Sequence, residues 1–326
     1  MREFLITKND AGQRIDRFAA KAAPKLPASL LQRYFRTKDI KRNGHWVKPD
    51  ERLREGDTVR LYIPEDFFGE AERRDDGAWL KTLRPKLDIV YEDEHLLLVN
   101  KRPGVLCHTA QGWSTDTLIA HIQAYVYQSG GWDPAQENSF APALCNRIDR
   151  GTGGIVIAAK TAEALRVLDD KIRSREVVKE YLCVCIGTPK PGQGRLENWL
   201  FKDAVKNQVF VKPRQEPGAS LAVTDYKVLQ SRDGLSLVEC RLHTGRTHQI
   251  RVQMAHAGHP LLGDSKYGVE KENRRRSEHR QLLWSYKLTF DFVSDAGALE
   301  YLNNRSFSVT DVPFAAKYFP SKPYFS

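Results

Sequence analysis

Two short segments of the chain concentrate the side chains that could do chemistry. The first, NRIDRGTGG (146–154), places one carboxylate, Asp149, between Arg147 and Arg150 and follows it with glycines. Glycine admits tight backbone turns, so the segment reads as a shaped loop presenting Asp149 at the entry to the apolar run GIVIAAK. Neighbouring guanidinium groups favour the ionised carboxylate. An ionised Asp can act as nucleophile or general base. The same residues also fit an aspartate that ties down a turn through an arginine, a common use of Asp. From this segment alone both readings stand.

The second segment, LHTGRTHQIRVQMAHAGHPLLGDSKYG (242–268), holds His243, His248, His256 and His259 with Arg246 and Arg251. His256 and His259 are three apart, yet no Glu-rich or Cys-rich partner segment accompanies them, and the His-Glu-x-x-His pattern of zinc proteases is missing. We therefore expect no metal. No P-loop and no dinucleotide glycine fingerprint in a strand-helix setting is present, so no nucleotide cofactor is expected either. The five cysteines, Cys107, Cys145, Cys183, Cys185 and Cys240, are odd in number and scattered, which argues against a disulfide framework. Cys183 and Cys185 sit in the strand-like run YLCVCIG, where alternate residues share a face, and we expect both thiols buried on one side.

The elements that must position these segments read as follows. In GQRIDRFAAKAA, Ile15, Phe18, Ala19 and Ala22 recur with the period of one helix face, and Pro24 and Pro27 break the segment. ASLLQRYFRTKD predicts a second helix with Leu30, Leu31, Tyr34 and Phe35 inward. Strands follow to residue 64, with turns at Asn43-Gly44 and Glu55-Gly56-Asp57. Residues 65–85 have mixed charge and no period, as expected of a linker, but Phe67, Phe68 and Trp79 imply that part of it packs on a neighbour. Beyond residue 86, LDIVYEDEHLLLVNKRPG predicts two strands around an acidic turn. TDTLIAHIQAYVYQ and TAEALRVLDDKIRS predict helices, the latter capped by Thr161. GIVIAAK, YLCVCIG, TDYKVLQ and LSLVECRL predict strands, and KENRRRSEHR a charged loop that fits either added affinity for a polyanion or a plain exposed loop. Strands outnumber helices without regular alternation. The expected fold class is α+β with a mixed, largely antiparallel sheet.

Of the 326 residues, 41% are hydrophobic and 28% charged, a globular composition. No apolar run approaches the roughly 18–20 residues of a membrane span, and the N-terminus lacks the apolar stretch of a signal peptide. The expected location is the cytoplasm. The net charge is +10, and most of the excess lies at the front: residues 1–64 carry fifteen Lys and Arg against eight Asp and Glu. A small basic unit on a less charged body suits a polyanionic partner, although charge alone also fits a surface kept basic for solubility.

The front unit, about residues 12–64, resembles the S4 RNA-binding module: two short helices followed by a basic hairpin. The resemblance implies that the second helix and following loop face RNA, and the matching residues are Arg33, Arg36, Lys38, Lys41 and Arg42. The remainder, about 87–326, resembles the RluA-type pseudouridine synthases. Four landmarks occur in that family's order: YEDEHLLLVNKRPG, NRIDRGTGGIVIAAK, KEYLCVCIG and TGRTHQIRVQMAHAGHPLLGDSKYG. The resemblance implies an aspartate catalyst at Asp149, a base-packing tyrosine at Tyr181, an arginine paired to the carboxylate at Arg251, and an arginine filling the space of a flipped base at Arg147. It also implies a pseudouridine synthase fold, isomerisation of uridine in structured RNA (ribosomal ahead of transfer RNA) without cofactor, and a monomer. The expected organisation is an S4-like domain over 1–64, a linker over 65–85 and a catalytic domain over 86–326. The chain departs from the family pattern at Asn146, where His is usual, at Gly151 and Gly153, where Asp and Ser are common, at Gln253, often His, and at Arg102, usually Pro. The alternatives to this enzyme are an RNA-binding protein without catalysis, working through the front module, and a hydrolase using Asp149 as general base.

Overall fold

A computed structural model of the chain describes residues 1–68, 77–109 and 114–320. It contains two separate sheets, each with its own core. The first sheet has four strands, β1 (Arg2–Leu5), β2 (Ile40–Arg42), β3 (His45–Trp46) and β4 (Thr58–Leu61), in the order β1-β4-β2-β3. Helices α1 (Ile15–Ala22) and α2 (Ala28–Arg36) cover it. The helical period is met: Ile15, Phe18 and Ala19 of α1 and Leu31 and Phe35 of α2 are buried against Ile40, Val59 and Leu61. Asn43 and Gly44 both have positive φ, the backbone of a tight two-residue hairpin turn.

Phe67 and Phe68, in a 3-10 turn at Glu65–Phe68, pack on this first core. Leu80 and Trp79, in helix α3 (Ala78–Thr82), pack on the second. The apolar residues of the expected linker thus anchor its two ends, while its residues 69–76 lie outside the described ones. The two units also meet directly. Asp10, fully buried, accepts hydrogen bonds from Asn138 Nδ2 (2.7 Å) and Ser139 Oγ (2.6 Å), and Asn9 Oδ1 accepts one from the Ala162 N–H (3.1 Å).

The second sheet has eleven strands: β5 (Ile89–Glu92), β6 (Leu96–Lys101), β7 (Ala143–Leu144), β8 (Gly153–Ala159), β9 (Val177–Ile186), β10 (Gln193–Asp203), β11 (Gln208–Lys212), β12 (Ala219–Arg232), β13 (Leu235–Leu242), β14 (Leu283–Phe290) and β15 (Ser306–Ser308). The main order is β11-β10-β12-β13-β9-β14-β8-β6-β5. Every described pairing is antiparallel except β14 with β8, so the sheet is mixed and largely antiparallel.

Alternation along the strands assigns the layers. On β8, Ile155 and Ile157 face helix α5 (Ala162–Arg173), while Val156 and Ala158 face helix α4 (Leu118–Gln128). Thr161 caps α5 by accepting from the Ala164 N–H. On β9, Tyr181, Cys183 and Cys185 share the face covered by helix α6 (Gln249–His256). The two cysteine sulfurs lie 3.8 Å apart and fully buried, as alternation requires. The charged run near 271–280 is not a loop throughout: Glu270–Arg275 forms helix α7. Glu270 with Arg274 and Glu272 with Arg275 are helix-spaced ion pairs that support it and occupy part of its positive charge. Helix α8 (Pro313–Tyr318) closes the far core.

Gly153 and Gly154, which follow Asp149, are dictated by the close parallel pairing of β8 with β14. A Cβ on Gly153 would lie 2.4 Å from the Trp284 ring. On Gly154, with φ +111°, it would lie 2.2 Å from the Ser285 carbonyl oxygen. Backbone cannot yield as a side-chain tip does, so Gly154→Ala should cost more than about 3 kcal/mol. Gly192→Ala, in open space with ordinary φ, should stay within about 0.5 kcal/mol. Urea unfolding of the two variants checks this; similar midpoints would refute it.

Candidate active site

Asp149 lies on the loop before β8, and that loop is stitched from outside. Lys101, at the end of β6 and buried, donates from Nζ to the carbonyls of Val105 (2.9 Å), Arg102 (3.2 Å) and Arg150 (3.3 Å). Burial brings its ammonium down to about 8. The Gly104 N–H donates to the Arg150 carbonyl (2.7 Å), and Arg150 Nε donates back to the Gly104 carbonyl (3.0 Å). The first landmark, NKRPG, therefore holds the second. Arg150 is committed to this stitching, so the sequence neighbour expected to stabilise Asp149 does a different job.

The arginine that reaches the carboxylate is 102 residues away. Arg251, on α6, donates from Nη1 to Asp149 Oδ2 (2.8 Å). Its other edge is gripped by Asp264, with Nε to Oδ2 at 2.7 Å and Nη2 to Oδ1 at 2.8 Å. Asp264 is buried and accepts further hydrogen bonds from the N–H groups of Lys266 and Tyr267. Burial works against the Asp264 carboxylate, but Arg251 and those two N–H groups outweigh it, and its pKa falls below the ordinary value. The guanidinium also lies over the Tyr267 ring, 5.3 Å from its centroid. Asp149 Oδ1 has no hydrogen bond within the protein among the described residues. One oxygen is anchored and the other is free.

His248 precedes α6 in the left-handed conformation, φ +54°. Its Nδ1 meets the Tyr267 hydroxyl at 2.9 Å, and its Nε2 lies 3.9 Å from Asp149 Oδ2. Burial holds this imidazole down to about 4 despite the opposing pull of Asp149. The histidines do not converge: His243 pairs with Asp225 at 2.6 Å, His259 meets the Ile186 carbonyl, and His256 ends α6.

Asp149, Arg251, His248 and His243 line one cavity of about 500 Å³, together with Tyr181, Arg147, Arg241 and Arg246. Tyr181 comes from β9, and burial pushes its phenol up to about 12, with the charge of Asp149 acting in the same direction. It is a proton donor but not a base near neutral pH. Arg147 is exposed on the rim. The structure thus unites Asp149, Tyr181, Arg251 and Arg147. Asp264 and Tyr267 belong to the same network and were not singled out from sequence; His248, also in it, was weighed there only as a metal ligand. Their signal was their position inside the fourth landmark, in GDSKYG and THQIR.

The departures from the family pattern are accommodated locally. Asn146 Oδ1 accepts from the Ile157 N–H of β8 at 2.7 Å. Gln253, buried, donates to the carbonyls of Leu196 and Ala222 and to Asn198, and accepts from Thr224, fastening α6 to β10 and β12. A Cβ on Gly151 would strike Gln281 at 2.5 Å.

Residues 95–256 match the family model for RNA pseudouridylate synthase. The RNA pseudouridine synthase YlyB of Bacillus subtilis is 32% identical over 267 residues, 81% of this chain and 82% of the relative. Ribosomal large subunit pseudouridine synthase C of Escherichia coli is 32% identical over 275 residues, 84% of this chain and 82% of the relative. Among solved structures, human RNA pseudouridylate synthase domain containing 4 superposes with a TM-score of 0.53 at 22% identity, over 72% of this chain and 92% of that one, a likeness of fold. The chain belongs to the RluA-type RNA pseudouridine synthases, enzymes that isomerise uridine to pseudouridine in RNA.

Two predictions follow from the network. Removing one partner of a buried ion pair costs about 3 kcal/mol or more, and a displaced Arg251 would misaim Asp149. Asp264→Asn should lower both stability and kcat, the latter about 10- to 100-fold, with KM little changed. Thermal melts and single-turnover kinetics check this; wild-type kcat in the folded variant would refute it. Secondly, neither Tyr181 nor His248 titrates between about pH 6 and 9, so neither should place an inflection there. A single-turnover pH profile that loses an inflection in His248→Gln would contradict that assignment.

Proposed function

We propose that the chain converts specific uridines of structured ribosomal RNA to pseudouridine, with Asp149 as the reacting carboxylate. The observation that carries this is the asymmetric Asp149 carboxylate: Oδ2 is fixed by Arg251, Oδ1 has no protein partner among the described residues, and Asp149 lines a cavity of about 500 Å³. The reaction breaks the N1–C1′ bond, turns the base and joins C5 to C1′, while the C5 proton is lost and N1 gains one. It is a net isomerisation. A pre-aimed carboxylate suits attack on C1′ or proton abstraction from the sugar, and later removal of the C5 proton. A uridine within a helix must leave the stack to reach it. Tyr181 offers a flat, buried ring for the extruded base and a hydroxyl that can donate. Arg147, on the rim, is suited to filling the vacated place.

The ribosomal target is supported by the relatives named as large-subunit enzymes, which this chain matches along most of its length. One chain carries every residue of the site, which supports a monomer, and the cytoplasm is the compartment of its ribosomal substrate. Among the described residues no helix is long and apolar enough to cross a membrane.

We assign residues 1–64 as an S4-like RNA-binding domain, 65–85 as linker and 86–326 as the catalytic domain. Arg33, Arg36 and Lys38 support this: they are exposed and form no ion pair among the described residues. Lys41 lies over the Tyr62 ring. Arg42 is a weaker candidate, since it pairs with Glu51 at 3.0 Å and donates to the Arg52 carbonyl.

Asp149→Ala should abolish pseudouridine formation while keeping the fold and RNA binding, because Arg251 retains its two-pronged partner Asp264. Carbodiimide mapping of ribosomal RNA from cells lacking the protein, complemented with either form, tests this. Full modification by Asp149→Ala, or no site lost on deletion, would overturn the enzyme reading and favour a binding-only role.

A further inference from the structure

The front module carries a second concave site, about 500 Å³, between the end of α2 and the β2–β3 hairpin. Lys41 and Trp46 are directly opposed across the hairpin, so both stand on its outer face. Tyr62, just past β4, joins them through its N–H to the Asp39 carbonyl. The Trp46 ring is half exposed, an expensive use of the largest apolar side chain. Its indole N–H donates to the Phe35 carbonyl of α2 at 3.1 Å, which fixes the ring's orientation. No ring or cation among the described residues covers its face. Tyr62, by contrast, already has Lys41 Nζ 5.2 Å from its centroid. Lys38, held in the left-handed conformation with φ +65°, lines the same groove. The one carboxylate there, Asp39, is bonded by the Thr37 hydroxyl. His45 completes the wall.

We propose that this groove holds one unpaired RNA nucleotide, with its base stacked on Trp46 and its phosphate met by Lys38 and Lys41. The inference rests on the reading of the chain as an RNA enzyme and names a recognition site away from the target uridine. A fixed, uncovered indole face with two lysines beside it complements the two invariant features of any nucleotide, a π face and an anion. A base inside a duplex cannot use it, because both of its faces are already stacked. An apolar peptide would cover the ring but leave Lys38 and Lys41 desolvated without an anion. The site would therefore read RNA shape, favouring a loop or bulge at a set distance from the modified position.

The test uses the full-length protein, with fluorescence anisotropy on two labelled probes, a short oligoadenylate and a short blunt RNA duplex, each over a range of salt. Trp46→Ala should weaken oligoadenylate binding about 5- to 150-fold, the range of one base stack, and leave duplex affinity and both salt slopes unchanged. Trp46→Phe, which keeps a ring, should remain within a few-fold of wild type. Lys41→Gln should flatten the single-strand salt slope by about 0.7, one phosphate contact. Unchanged oligoadenylate binding by Trp46→Ala would overturn the proposal, give the groove to a protein partner and leave the RNA enzyme intact. An equal loss on both probes would show a structural role and overturn it too. A wild-type protein that binds neither probe would overturn the RNA-binding reading of the module together with this pocket.

Discussion

The Arg251 guanidinium is the constraint on which the site depends. It is buried, and it spans two carboxylates with opposite duties. Asp264 takes two of its N–H groups in a parallel fork, is itself held by two backbone N–H groups, and fixes the guanidinium plane. Asp149 takes a third N–H with one oxygen only. A fork–fork pair leaves little rotational freedom, so the direction of the third N–H is determined by a residue that does not line the cavity. Burying this cation is costly, and the second carboxylate offsets much of that cost. The result is a carboxylate whose position is specified while half of its hydrogen-bonding capacity stays open.

Other parts of the fold deliver Asp149 to that guanidinium. Lys101 gathers three carbonyls from two loops, which a neutral side chain could not do with a single donor atom. Gly153 and Gly154 let β8 run against Trp284 and Ser285 of β14 without an intervening Cβ. Gln253 performs a similar duty for Arg251, locking α6 to β10 and β12 through four polar contacts. The polar residues around the site are therefore mostly spent on holding backbone, leaving Asp149, Tyr181 and Arg147 to face the cavity.

The front module is tied to this body by more than a linker. Asp10 is fully buried between the two units and accepts from Asn138 and Ser139, and Gln13 adds a bond to the Ser139 hydroxyl. Contacts of this kind restrict how the basic surface of α2 and the hairpin can turn relative to the Asp149 cavity. For the proposed RNA-binding role, that restriction adds a geometric requirement to sequence-independent attraction to phosphates, since both surfaces must be met by one folded substrate.

Local pattern made much of this legible. The helical periods of α1 and α2, the strand alternation of β8 and β9, the cap at Thr161 and the shared face of Cys183 and Cys185 depend on neighbours a few residues apart. Such features are written in residue type and spacing. The charged run that became α7 was misread because its helix-spaced Glu–Arg pairs resemble loop composition when only charge is counted. Asp149, Tyr181 and Arg251 were legible through ordered landmarks rather than local physics, which on its own also fitted a turn aspartate. The landmarks implied Arg251 as the partner of Asp149, whereas local reading favoured the flanking arginines; only the tertiary structure shows how the pairing is built. Arg150, one residue away, turns to Gly104, while Arg251 arrives across the fold with Asp264 behind it. Side-chain direction on a loop is set by long-range packing, and a cation's partner is whichever anion the fold leaves within reach of its N–H groups.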